Sequence, residues 1–214
     1  MSSLTCFKAY DIRGRLGLDL DEDVAYRIGR AFAQALSAKT VVLGRDIRAT
    51  SEDLATSVAR GLTDAGCVVL NLGLSGTEEM YFAVTHFGAD GGICVTASHN
   101  PMDYNGMKMV RAGSAPLDAA IGLSAIKTLA ETNDFGTTAV TGEVGDVSDE
   151  ARSAYVDRII SFADLPALKP LKILVNAGHG TAGPTFDAIA ARLKALGVPL
   201  CFEYLFHTPD GTFP

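Results

Sequence analysis

Residues 96–108 read Thr-Ala-Ser-His-Asn-Pro-Met-Asp-Tyr-Asn-Gly-Met-Lys and bring a hydroxyl (Ser98), an imidazole (His99) and an ammonium (Lys108) into one polar segment. The hydroxyl is a nucleophile when a neighbour accepts its proton, while the imidazole and the ammonium supply hydrogen bonds and positive charge. Three chemistries fit these residue types. Ser, Asn and Pro are ordinary turn residues, so the segment is readable as a capped turn alone. An acyl-transfer nucleophile is a second reading, although the Gly-x-Ser-x-Gly elbow is absent around Ser98. The third is phosphoryl transfer, in which Ser98 accepts and returns a phosphoryl group. A phosphoserine carries about −1.5 to −2 charges at neutral pH, and His99, Lys108 or a divalent cation would be its natural partners.

The elements that position such a loop follow from the pattern around it. Gly91 to Val95 is an apolar run that reads as a strand delivering the loop, and Asn100-Pro101 and Asn105-Gly106 signal two bends before a strand resumes near Met107. Asp21 to Leu36 has helical periodicity, with Val24, Ile28, Ala31, Phe32 and Ala35 on one side and Asp21, Glu22 and Asp23 at its positive end. Thr40 to Leu43 is a short buried strand, and Thr50 or Ser51 caps a helix running to about Ala65, with Gly66 as its stop. Cys67 to Leu72 is strand-like, Thr77 to Phe87 helical, and Leu117 to Ala130 a further helical connection. The sum is an α/β domain with helices flanking a mixed sheet, in which loops at the carboxyl ends of strands bind ligands.

Thr132 to Asp149 lacks periodicity and carries turn residues, which predicts a domain border there, with domains at 1–148 and 149–214. Beyond it the α/β rhythm restarts: a helix from Glu150 to about Phe162, a strand Leu171 to Val175, a helix Thr181 to Leu196 ending at Gly197, and a strand Val198 to Phe206. A partial second domain of similar architecture is expected. His179, between Gly178 and Gly180, reads as a turn residue without a chemical role.

Composition narrows the function. The chain has 214 residues, 48% hydrophobic content and a net charge of −7. That length holds one full domain and part or all of a second. The acidic balance argues against nucleic acid as a partner. No run of ~18 apolar residues and no basic leader with an apolar signal core is present, so neither a membrane partner nor export is expected and the predicted location is cytoplasmic. Cys6, Cys67, Cys94 and Cys201 lie far apart and form no metal-ligand pairs; they read as reduced, buried thiols. No pattern specifies an oligomeric state.

Thr96 to Pro101 with Asp103-Tyr104-Asn105-Gly106-x-Lys108 resembles the phosphoserine loop of the α-D-phosphohexomutase superfamily, which includes phosphomannomutases and phosphoglucomutases. Phe7-Lys8-Ala9-Tyr10-Asp11-Ile12-Arg13-Gly14 is similar to the opening motif of that superfamily, and Gly44-Arg45-Asp46-x-Arg48 to its next landmark. The resemblance implies a three-layer α/β/α fold and reversible movement of phosphate between O6 and O1 of a hexose through a hexose 1,6-bisphosphate, which also serves as activator. It makes Ser98 the phosphorylated residue and His99 a contact of the moving phosphate. Lys108 becomes a general acid or base for the sugar hydroxyl, provided its site lowers its pKa, and Tyr10 and Arg13 become substrate-binding residues. Mg2+ would bind Ser98 through its phosphate. Arg45, Asp46 and Arg48 are expected to form an ion-pair network beneath the loop.

The Ser75-Gly76-Thr77-Glu78-Glu79-Met80-Tyr81 segment looks most like bacterial phosphomannomutases feeding GDP-mannose synthesis, so mannose phosphate is the implied small-molecule substrate. A phosphoglucomutase or dual-specificity enzyme is the alternative. The resemblance spans this chain but about half of a full-length member, whose Asp-Gly-Asp metal loop and further domains would lie beyond Pro214. Little mutase turnover is therefore expected of these 214 residues alone, and a noncatalytic phosphate-carrying domain is the alternative from another class.

Overall fold

A computed structural model of the chain describes residues 3–214. Its first unit is built on a mixed sheet of β1 (Ile12–Arg15), β2 (Thr40–Arg45), β3 (Val68–Leu74), β4 (Gly91–Val95), β5 (Tyr104–Arg111), β6 (Ala115–Pro116) and β7 (Val144–Asp146). The strand order is β1-β5-β4-β2-β3-β7, with β6 on β5. The pairs β2/β3, β2/β4 and β3/β7 are parallel, whereas β1/β5 and β4/β5 are antiparallel. Helices α1 (Glu22–Leu36), α2 (Ser51–Asp64) and α4 (Leu123–Thr132) cover one face, and α3 (Thr77–His86) and α5 (Ser148–Ile160) the other. This is the expected α/β/α arrangement.

The apolar stripe of α1 explains its place. Val24, Ile28, Ala31 and Phe32 are buried against Val41, Leu43, Ile93 and Met107 of the sheet, and Ala35 is partly buried beside them. Asp21 Oδ1 accepts the Val24 N–H at 2.8 Å, which satisfies an orphan donor of the first turn. β4 is buried along its whole length, because it lies between two strands and under helices on both faces.

Four expectations need correction. Thr50 precedes α2 but its side chain makes no cap bond; its Oγ1 accepts from Asn105 Nδ2 at 3.0 Å instead. Helix α4 starts at Leu123, because Asp118 Oδ1 accepts the Ala120 and Ile121 N–H groups and folds 118–121 into a turn. The stretch 132–149 is not structureless: Val144–Asp146 adds a strand to the sheet, paired Val69↔Val144. Cys201 is exposed, since it lies on the face of its strand turned away from the packed helix, whereas Cys6, Cys67 and Cys94 are buried.

Burial pushes the Cys94 thiol up to about 12, and the Cys6 and Cys67 thiols up to about 11. Native protein treated with a thiol-exchange reagent at mildly alkaline pH is expected to react rapidly at Cys201 alone, with the other three thiols reacting only on unfolding. Rapid native labelling of Cys94, mapped by peptide mass, would contradict this packing.

The second unit pairs β8 (Leu171–Asn176) with β9 (Leu200–Leu205) in parallel and packs α6 (Ala182–Ala195) on one face. Helix α5 bridges the two units: Ala151 joins the core beneath α3, while Arg192 of α6 pairs with Asp157 at 3.0 Å. Glu79 is the polar centre of that junction. Its carboxylate takes the Gly76 N–H at 2.7 Å, Arg152 Nε at 3.3 Å and the Thr185 hydroxyl at 3.0 Å. No helix among the described residues is long and apolar enough to cross a membrane.

Candidate active site

Ser98 follows β4 by three residues, at the carboxyl end of a central strand flanked by β2 and β5. Its φ is 54°, in the left-handed region that costs a non-glycine residue roughly 1–2 kcal/mol. Its N–H donates to Thr96 Oγ1 at 2.9 Å, and its hydroxyl is exposed, with Oγ 3.3 Å from His99 Nδ1. Backbone strain at an exposed polar side chain is the kind that clusters at functional positions.

The loop rests on polar groups from the turn after β2. Arg48, whose side chain is only 6% exposed, donates from Nη2 to Ser98 O (2.8 Å) and Asn100 O (2.6 Å) and from Nη1 to Pro101 O (2.8 Å) and Tyr104 O (3.1 Å). Asp46 lies 3.5 Å from Arg48 Nε, and its other oxygen accepts the Arg48 N–H and the Ser51 hydroxyl. Arg45 turns away and pairs with Glu52 at 3.0 Å. The expected ion-pair network is therefore largely a clamp on backbone carbonyls, because a buried guanidinium satisfies its N–H groups wherever acceptors converge. Buried Asn105 ties the start of β5 to the start of α2 through Thr50 and Ser51.

The remaining expected residues gather around Asp11. This carboxylate is buried, and its Oδ2 accepts from Lys108 Nζ at 2.8 Å and Arg13 Nη2 at 3.1 Å. Lys108 Nζ also sits 5.8 Å from the centre of the exposed Tyr10 ring. β5 places Lys108 opposite Cys94 on the strand that ends in the Ser98 loop. The structure thus brings Ser98 to His99, and Tyr10, Arg13 and Lys108 to one another. Asp11 was missed as their common partner, although its place between Tyr10 and Arg13 in the opening motif is the signal that marks it. A lone carboxylate flanked by two cations and an aromatic ring is able to orient both cations toward an anion.

The turn after β9 closes over the Arg48 turn. Phe213 lies 5.8 Å from the Arg48 guanidinium, and a Cβ at Gly211 would fall 2.6 Å from Ile47 O, so only glycine permits that approach. Hydrogen bonds from the Thr212 hydroxyl and N–H hold the Asp210 carboxyl below the usual carboxylate range. His179 serves the same turn: its N–H donates to Phe206 O at 2.7 Å and its Nδ1 lies 3.0 Å from Thr208 O.

For a magnesium ion, Ser98 or its phosphate offers oxygen, but among the described residues no three His, Cys, Asp or Glu side chains converge. These residues alone do not bring together the carboxylates that would hold Mg2+ beside a phosphate.

Comparison with known proteins gives the arrangement a relationship. The family described as phosphoglucomutase/phosphomannomutase, alpha/beta/alpha domain I, matches residues 5–137, which take in the Asp11 cluster, the Arg48 turn and the Ser98 loop. A phosphomannomutase of Salmonella montevideo is 56% identical over 216 residues, covering 100% of this chain and 47% of that protein. A phosphomannomutase of Escherichia coli K12 is 54% identical over 214 residues, with the same coverage. A crystal structure of a phosphoglucomutase/phosphomannomutase family protein from Burkholderia thailandensis superposes with a TM-score of 0.83 at 37% identity, covering 100% of this chain and 46% of that one. The chain spans about half the length of the curated relatives it matches. With the domain match enclosing the Asp11, Arg48 and Ser98 groups, the chain belongs to the phosphoglucomutase/phosphomannomutase family.

Proposed function

We propose that the chain supplies the phosphoryl-carrying part of a phosphomannomutase that interconverts mannose 6-phosphate and mannose 1-phosphate. The observation that carries the proposal is Ser98 itself, a left-handed, solvent-facing serine beside His99 on a loop fixed from below by Arg48. Residues 1–148 form the first domain of this reading and 149–214 part of the second; β1–β7 and β8–β9 lie in separate sheets on either side of that border, while α5, which spans it, packs on the first sheet. The names of the relatives support mannose phosphate as substrate, with glucose phosphate the alternative.

In this reading phosphorylated Ser98 gives its phosphoryl group to the free hydroxyl of a hexose monophosphate. The Ser98 Oγ–P bond breaks as the sugar O–P bond forms, and the hydroxyl proton leaves to the protein. The bisphosphate so formed turns around, its other sugar O–P bond breaks as the Ser98 Oγ–P bond re-forms, and the proton returns from the protein to the sugar oxygen. Because such transfer is dominated by charge stabilisation and alignment, the work of these residues is placement. His99 contacts the phosphate from within hydrogen-bond reach of Oγ. The Lys108–Asp11 pair offers an N–H donor and a carboxylate acceptor for the moving proton, and Arg13 and Tyr10 receive the substrate.

The test is to incubate the protein with a hexose 1,6-bisphosphate and map phosphate by peptide mass, then to follow conversion of mannose 6-phosphate to mannose 1-phosphate with magnesium. Phosphate confined to Ser98 is the expected result; reproducible labelling of another residue would refute the assignment. Faster turnover of glucose 6-phosphate would move the substrate assignment to the phosphoglucomutase side. Phosphate on Ser98 with no turnover would identify a phosphate-carrying domain without mutase activity of its own.

A further inference from the structure

We infer that Arg48 is the positioning residue of the phosphoryl relay: by gathering the carbonyls of Ser98, Asn100, Pro101 and Tyr104 onto one guanidinium, it holds Ser98 in its left-handed conformation and so aims Oγ outward. The inference rests on the phosphoserine reading for its functional consequence, and on geometry alone for its structural part.

A serine at φ 54° relaxes to an ordinary conformation unless its surroundings over-determine it. Two of the anchors are local. Thr96 Oγ1 accepts the Ser98 N–H at 2.9 Å, and Ala97 O accepts both the Asn100 N–H (3.1 Å) and Asn100 Nδ2 (2.9 Å). These fix the amide side of the turn. The carbonyl side is held by Arg48, which reaches across from the turn after β2. Turning the Ser98 carbonyl inward to Nη2 leaves its side chain on the solvent side, where Oγ is found. If the carbonyl were released, the peptide would be able to rotate and carry Oγ with it.

The guanidinium is suited to this task because its planar fork presents several N–H groups in fixed directions, whereas a lysine ammonium is a point donor on a flexible stem. Arg48 is itself immobilised. Asp46 holds its main-chain N–H at 3.0 Å and lies beside Nε, and the Phe213 ring covers the guanidinium. The guanidinium binds the loop's main chain and acts on the reaction through Ser98.

The test compares the protein with R48K and R48A. With hexose 1,6-bisphosphate as phosphoryl donor, R48K is expected to slow phosphate uptake at Ser98 by roughly 100-fold while the KM for the donor changes little, since misplacement of the nucleophile, and not loss of binding, is the lesion. Millimolar guanidinium is expected to restore part of the R48A rate, and ammonium at the same concentration is not. Wild-type uptake by R48K, or a loss that appears wholly in KM, would overturn the inference. The carbon chemical shifts of Ser98, read by NMR, report its backbone conformation without any phosphate. They are expected to leave the left-handed range in R48K, and their persistence there would overturn the structural part. Should the wild type take up no phosphate at Ser98, the phosphoserine reading fails while the chemical-shift result still decides what Arg48 does. R48K keeps the charge and most of the side-chain volume, so it provides the folded comparison if R48A is unstable.

Discussion

Ser98→Ala should abolish phosphate incorporation, by about 10⁴-fold or more, with almost no effect on stability. The substitution removes only Oγ, an exposed atom whose nearest polar neighbour is His99 Nδ1 at 3.3 Å. A surface change of that kind usually stays within about 0.5 kcal/mol. Alanine inherits the left-handed backbone, so its loop should keep the native shape. Ser98→Gly supplies the complementary result. It removes the same oxygen but tolerates a φ of 54°, so it should be equally inactive and slightly more stable than Ser98→Ala. Intact mass and a thermal melt on the three proteins check all of this. Retained phosphate in Ser98→Ala would remove the serine from the reaction, and a lower melting temperature in Ser98→Gly than in Ser98→Ala would show that no strain resides there.

The largest loss of stability from a single added methyl near the site is expected at Gly106. Paired with Arg13 on β1 and accepting the Thr96 N–H through its carbonyl, it lies where three stretches of backbone meet. A Cβ would stand 2.1 Å from Ile12 O, 3.0 Å from the Ile12 carbonyl carbon and 3.1 Å from Thr96 O. None of these atoms belongs to a side chain that is able to swing aside, so Gly106→Ala must separate β1 from β5. The cost is about 3 kcal/mol or more, the upper range for overpacking. For a chain of this size that lowers the melting temperature by roughly 6–12 °C. An unchanged melting temperature would mean that β1 does not lie against β5 at this point. The displacement would also move Asp11, and with it Lys108 and Arg13, so activity should fall even below the melt.

The parts of this structure that were readable in advance are those where local pattern and tertiary environment agree. Gly91–Val95 was assigned residue for residue because a short apolar run without polar interruption has few uses other than a strand buried on both faces. Helix α1 is legible from its stripe and from the acidic residues at its start, of which Asp21 stands outside the helix as its cap. Val144–Asp146 was not. Only three residues long and polar at its end, it is a strand solely because β3 offers it an open edge. Thr50 carries the composition of a helix cap, but Asn105 takes its hydroxyl from a distant strand.

At the site, the motifs located Ser98, His99, Lys108, Tyr10 and Arg13, which the structure places in two clusters. The left-handed turn at Ser98 and the carbonyls gathered on Arg48 could not be read, since they depend on which way peptide planes face. Asp11 stood in plain view between two named residues, but nothing in its neighbours along the chain says that a lysine on β5 will fold back onto it.

Glu79 ties the two units together at one of several contacts, beside the Arg192–Asp157 pair and the approach of Phe213 to Arg48. Its carboxylate is the shared fastening of the α3 turn, of Arg152 on α5 and of Thr185 on α6. Swinging α6 away would break the Thr185 bond and the half-exposed Arg192–Asp157 pair, whereas sliding α5 would strip a buried carboxylate of its cation, a loss of several kcal/mol when such a pair is broken. The junction is therefore compliant in one direction and stiff in another. The stiff direction leads to Ser75, whose N–H donates to Arg45 O at the end of β2, three residues before Arg48. Arg152 of α5 also donates to Leu74 O at 2.5 Å, next to Ser75, so a shift of α5 loads the backbone beneath the serine loop, whereas a tilt of α6 loads one hydroxyl and one surface ion pair.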